Sequence, residues 1–139
     1  MFELINKKTY KLLFIIAALL SLVVTLSVVS KSVGVHLIND KLGHALMFFF
    51  LAFLCSHSLG SKFGYKAIIG LAVFGLVIEI IQYFLPWRSF SVFDWLADLV
   101  GIISYDVIHR MKRRYLLKKL LKKSYRQPDQ SKGEEKENV

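Results

Sequence analysis

Ile78-Glu79-Ile80-Ile81-Gln82-Tyr83-Phe84-Leu85-Pro86-Trp87-Arg88-Ser89-Phe90-Ser91-Val92-Phe93-Asp94-Trp95-Leu96-Ala97-Asp98 is the stretch that decides how this chain folds. Apolar residues dominate on both sides of Pro86, yet Glu79, Asp94 and Asp98 stand among them. An acid at the centre of a membrane helix costs roughly 2.5–3.5 kcal/mol on the insertion scale. Three such acids require counter-charges, hydrogen bonds or a wet pocket. Proline disfavours helical backbone at the residue before it, so one helix ends at Leu85. Ser89 or Ser91 can cap the next.

Working outward, the rest of the chain shows the same apolar density. Of its 139 residues, 55% are hydrophobic, and they are gathered into long runs. Each run approaches the ~20 residues that span a bilayer as helix. Hydropathy places four spans, at about 12–30, 42–59, 67–85 and 92–108. Asn39 or Asp40 is the expected N-cap of the second. The expected fold is all-α: a polytopic four-transmembrane-helix bundle with a basic amphipathic C-terminal helix. Residues 1–109 form the bundle, 110–126 the basic helix, and 127–139 a polar tail expected to be disordered. A soluble catalytic domain does not fit in this length.

The first run follows Lys7, Lys8 and Lys11 and so resembles a signal peptide. It is longer than the roughly 7–15-residue core of such peptides. No small-x-small cleavage pattern follows, and it reads as the first span. The only cysteine, Cys55, lies inside an apolar run and cannot pair within one chain.

The net charge of +9 is concentrated, with nine of the 19 Lys and Arg lying between Arg110 and Arg126. Leu116, Leu117, Leu120 and Leu121 alternate with Lys118, Lys119, Lys122 and Lys123 at helical spacing. Such a helix beside a span suits an anionic membrane surface, at about 1 kcal/mol per basic residue. Charge alone also fits a nucleic acid, but the position beside a span assigns membrane lipids as the partner and no nucleic acid. Lys7, Lys8 and Lys11, then Lys62 and Lys66, then the basic cluster all fall on one side of a four-span chain. The positive-inside rule puts that side, and both termini, in the cytoplasm of a protein integral to the cell membrane.

That topology collects eight polar residues at the opposite face. Asp40, Lys41 and His44 lie at the outer end of the second span. Glu79 and Gln82 lie in the outer half of the third, Arg88 in the outer loop, and Asp94 and Asp98 in the outer half of the fourth. Glu79 and Asp98 are each roughly 10 Å deep at 1.5 Å per residue. Asp40 and His44 are spaced i, i+4, and Asp94, Asp98, Gly101 and Tyr105 form one stripe.

Asp40-Lys41-Leu42-Gly43-His44 resembles the DKxxH element of the VanZ-like membrane proteins. Glu79-Ile80-Ile81-Gln82, with Pro86-Trp87-Arg88 and Asp94 beyond it, is similar to that family's ExxQ…(P)xRxxxxxD element. Ala97-Asp98-Leu99-Val100-Gly101 looks like its closing (A)(N/D)xxG, where many members carry Asn at the position of Asp98. The three blocks cover Asp40 to Gly101, under half of the chain. The resemblance implies a small polytopic membrane protein of the cell envelope, associated with resistance to the glycopeptide teicoplanin. It implies no reaction.

The residues support several chemistries. His44, Glu79 and Asp94 are the candidate catalytic groups, with a carboxylate tuning the imidazole. Asp40, Lys41, Gln82, Arg88 and Asp98 are the candidate binding groups, Lys41 and Arg88 facing an anionic headgroup or cell-wall glycolipid. The alternative is structural: pairs such as Arg88–Asp94 or Lys41–Glu79 would only fix helix packing. Asp40, His44, Glu79, Asp94 and Asp98 are also a hard-ligand set for a divalent metal in a membrane enzyme. Their spacing matches no recognised metal signature, so no metal ligand is assigned and the cofactor stays unspecified. Polar residues do not continue through the inner halves of the later spans, which argues against an ion path. A homo-oligomer stays open.

Overall fold

Asn6 is the N-cap of the first helix, its side chain accepting from the Lys8 N–H at 3.4 Å. The computed structural model describes residues 6–27 and 37–126. The described residues form helices α1 (Lys7–Leu26), α2 (Leu37–Leu59), α3 (Tyr65–Tyr83) and α4 (Val92–Arg126), with a 3-10 turn at Gly60–Lys62 and no strand. Three segments, Lys7–Leu26, Asp40–Leu59 and Tyr65–Tyr83, are long and apolar enough to cross a membrane.

The helices bury the residues a water-soluble protein would expose. On α1 the inward stripe is Tyr10, Ala17, Ser21 and Thr25, while Leu12, Leu19, Val23 and Val24 are exposed. On α3, Gly75, Glu79 and Gln82 are buried while Ile69, Val73, Val77 and Ile80 point out. Hydrocarbon imposes no penalty on exposed Leu, Ile and Val, so small and polar groups go to the helix contacts. Backbone carbonyls of α1 satisfy its two buried small hydroxyls: Thr25 Oγ1 donates to the Ser21 carbonyl at 2.7 Å and Ser21 Oγ to that of Ala18 at 2.8 Å.

α1 packs against α2 and α3, and α2 packs against α3. Phe48, Leu51, Ala52 and Cys55 of α2 make the centre of the core with Leu71 and Ile78 of α3 and Ile102 and Tyr105 of α4. Glycine lets α2 and α4 meet. A Cβ on Gly101 would stand 2.1 Å from the Ala45 carbonyl oxygen. Gly75 likewise faces Asp98 Oδ2 and the Phe48 ring. Gly70 of α3, by contrast, has nothing within 4 Å of its Cβ direction.

Boundaries shift where local chemistry outweighs hydropathy. α1 starts at Lys7 rather than 12 because the lysines extend the helix beyond the apolar run. α2 starts at Leu37, so Asn39 and Asp40 are not its caps. Asp40 instead sits in the first turn, where the helix dipole favours an acid. The fourth expected span and the basic helix are one 35-residue helix, because no Gly or Pro separates Gly101 from Arg126. The chain divides into two compact units, Met1–Asp106 and Val107–Val139. In the second, Leu116, Leu117, Leu120 and Leu121 are all exposed. Lys31, His36 and the tail at 127–139 lie outside the described residues.

Candidate functional site

Three of the four helices carry their polar side chains to one end of the bundle. The start of α4 shows why. Ser91 is its N-cap, and Ser91 Oγ accepts from the Asp94 N–H at 3.3 Å. In a capping box the acid three residues on would reach back to the N–H of the capping serine. Here Glu79 of α3 takes that N–H, with Oε2 accepting from Ser91 N at 2.9 Å. One bond thereby closes the α3–α4 turn and releases the Asp94 carboxylate for another partner.

That partner is Lys41, whose Nζ donates to Asp94 Oδ1 at 3.0 Å. The ammonium also lies 5.7 Å from the Phe93 ring centroid, a cation–π distance. The Lys41 side chain is 41% exposed, against 13% for Asp94. This pair is the rim of the site. One turn deeper on both helices, His44 Nδ1 and Asp98 Oδ1 are 3.0 Å apart, and both residues are buried. The two pairs follow one another at i, i+3 on α2 (Lys41, His44) and at i, i+4 on α4 (Asp94, Asp98). Asp40 completes the rim: ligand-type atoms of Asp40, His44 and Asp94 lie within 4.8 Å of one another.

Each candidate therefore has a definite place. Lys41 binds Asp94 and not Glu79; His44 binds Asp98 rather than Glu79 or Asp94. Glu79, fully buried, is anchored through Oε2, while Oε1 has no partner among the described residues. Gln82 is turned away from the acids, its Nε2 donating to the Thr25 carbonyl of α1 at 2.9 Å. It ties α3 to α1 and does not join the group around Asp94. Arg88 is half-buried in the α3–α4 connection, and its Nε is buried with no partner among the described residues. It forms no ion pair with Asp94.

Several contributors were not legible as site residues. The backbone N–H of Ser91 and the carbonyl of Thr25 have no side-chain signature. Trp87 and Trp95 donate to backbone carbonyls of other helices: Trp87 Nε1 to Leu26 at 3.2 Å and Trp95 Nε1 to Ala72 at 3.0 Å. At the other end of the bundle, Ser56 Oγ is hydrogen-bonded to Tyr105 OH. Only its place on the Asp94–Asp98–Gly101 stripe hinted that Tyr105 faces inward.

The arrangement is a ladder of acid–base pairs descending from a half-exposed rim, with unpaired buried atoms on Glu79 and Arg88. It presents Lys41 at the rim, leaves Glu79 Oε1 able to accept a donor, and links His44 to Asp98. No protein-family profile, curated protein or solved structure matches this chain.

Proposed function

We propose that this chain is a VanZ-like integral membrane protein with four spans, α4 supplying the fourth, and with both termini cytoplasmic. In this reading the polar end of the bundle opens at the extracytoplasmic face and binds an anionic envelope-lipid or glycolipid headgroup, contributing to teicoplanin resistance. The supporting observation is the mismatch in the polar network. A network that served packing alone would satisfy itself. Among the described residues Glu79 keeps a buried acceptor and Arg88 a buried donor with no partner, and Lys41 is half-exposed at the rim. Buried polar groups left open are costly, and a headgroup with both phosphate and hydroxyls complements them.

Support for the fourth span is the outward face of α4. Phe93, Leu96, Val100, Ile103 and Val107 are exposed at helical spacing. Asp94 and Asp98 meanwhile pair inward with Lys41 and His44, so the acids do not have to face lipid. A structural reading is favoured by one observation, the commitment of Gln82 to α1, and it predicts that site variants lower protein level and function together.

The test is teicoplanin susceptibility of cells expressing wild type or Glu79→Gln at matched membrane levels. Wild type should protect and the variant should not. Equal protection by both would remove Glu79 from the site, and protection by neither would end the antibiotic reading. The orientation has its own check in a Cys55→Ser background. Cysteine at Ser89 should react with an impermeant thiol reagent added outside whole cells, and cysteine at Ser61 should react only after permeabilisation. The opposite labelling pattern would move the pocket to the cytoplasmic face.

A further inference from the structure

Asp40, His44 and Asp94 each present one metal-ligand atom, all within 4.8 Å of one another. Asp40 and His44 share a face of α2, and Asp94 comes from the first turn of α4. The histidine is the informative member. It is 5% exposed, and its Nδ1 is held by Asp98 Oδ1 at 3.0 Å. Among the described residues, its Nε2 has no hydrogen-bond partner. A buried imidazole with one nitrogen fixed by a carboxylate and the other left open has the form of a metal-ligating histidine. The carboxylate sets the tautomer and aims the ring.

The charges point the same way. Asp40, Glu79, Asp94 and Asp98 crowd this end of the bundle, and Lys41 is the one cation paired with any of them among the described residues. Asp98 is 1% exposed and keeps Oδ2 without a partner. A carboxylate excess at a half-buried site calls for a further cation.

We propose that Asp40, His44 and Asp94 bind a divalent transition-metal ion, with Asp98 as the residue that positions His44. One imidazole and two carboxylates suit Zn²⁺ or Mn²⁺ better than Mg²⁺, which takes oxygen ligands, or Cu⁺, which takes sulfur. Ligand atoms around tetrahedral zinc are about 3.4 Å apart, given bonds of ~2.1 Å. The cluster therefore has to close by little more than an ångström, within reach of rotation about the Asp40 and Asp94 side chains. Three protein ligands leave a position for water or a ligand oxygen. Lys41, half-exposed and bound to Asp94, competes with the ion for that carboxylate and swings out when it binds. The inference goes beyond the headgroup reading and stands without it, since the ion is held by protein groups alone.

The experiment uses the full chain in detergent, purified through a tag that contains no histidine. After chelator treatment it is dialysed against Zn²⁺ or Mn²⁺ and metal per chain is measured. Co²⁺ is then titrated and followed by its visible absorption. One ion per chain is expected. His44→Ala and Asp94→Asn should each weaken binding by at least about tenfold, and Lys41→Met should tighten it. Asp40→Asn leaves the His44–Asp98 bond in place and should weaken binding while the protein stays folded. It therefore decides the matter if the buried variants fail to fold. The proposal is overturned if wild type retains no stoichiometric ion. It is equally overturned if folded Asp40→Asn, or His44→Ala with Asp94→Asn, binds as wild type does.

Discussion

Alanine at Gly101 should prevent the bundle from closing. The added Cβ would sit 2.1 Å from the Ala45 carbonyl oxygen, 2.9 Å from its carbon and 3.0 Å from Phe49 N. All three are backbone atoms of α2, so no side chain can rotate away to make room. The helices must move apart, and what they hold between them goes with them. One turn above is His44–Asp98, and one turn below Tyr105 meets Ser56 and Phe49. Overpacking a core costs about 1–3 kcal/mol and occasionally more, and a clash between two backbones belongs at the upper end. Thermal unfolding in detergent should show Gly101→Ala far below wild type or absent from the membrane fraction. Gly70→Ala is the control. Its Cβ direction is open, and alanine favours helix over glycine by up to about 1 kcal/mol, so that variant should match or exceed wild type. An unfolding midpoint for Gly101→Ala equal to that of Gly70→Ala would refute the close α2–α4 contact.

Asp98 should divide two substitutions of similar size. Asp98→Leu removes the partner of a buried histidine and leaves Nδ1 unpaired in an apolar contact. Removing one member of a buried pair costs about 3–5 kcal/mol. Asp98→Asn keeps an oxygen at the Oδ1 position to accept from His44 Nδ1–H, and should cost no more than ~1 kcal/mol. Unfolding midpoints measured side by side decide it. Near-equal losses in both variants would mean that the carboxylate charge, and not the hydrogen bond, holds His44.

The contrast between Glu79 and Gln82 shows what pattern reading can reach. Both lie on one face of α3 at i, i+3, and both are buried, as their polarity inside an apolar helix requires. Their partners are in opposite directions. Glu79 closes the turn to Ser91, while Gln82 reaches a carbonyl of α1. Spacing along one helix fixes a face but not which neighbour covers it. Asp94 makes the same point. The sequence offers it Arg88 six residues away, and the fold pairs it with Lys41 of another helix, because Glu79 has already taken the N–H to which Asp94 would otherwise turn.

Sequence alone did not set the helix bounds: α1 and α2 start earlier than hydropathy places them, α3 ends at Tyr83 rather than Leu85, and the last two expected segments are one helix. It did determine that the chain is helical with long apolar runs, and the end of the bundle at which the acids gather. Those properties follow from local composition, from Pro86 as a stop and from the alternation of up and down helices, none of which needs a contact map. Tertiary structure alone decided the pairings, the approach of α2 to α4 at Gly101, and the grouping of Asp40, His44 and Asp94. These depend on helix rotation and separation to within an ångström. Packing of backbone against glycine sets that, and hydropathy does not encode it.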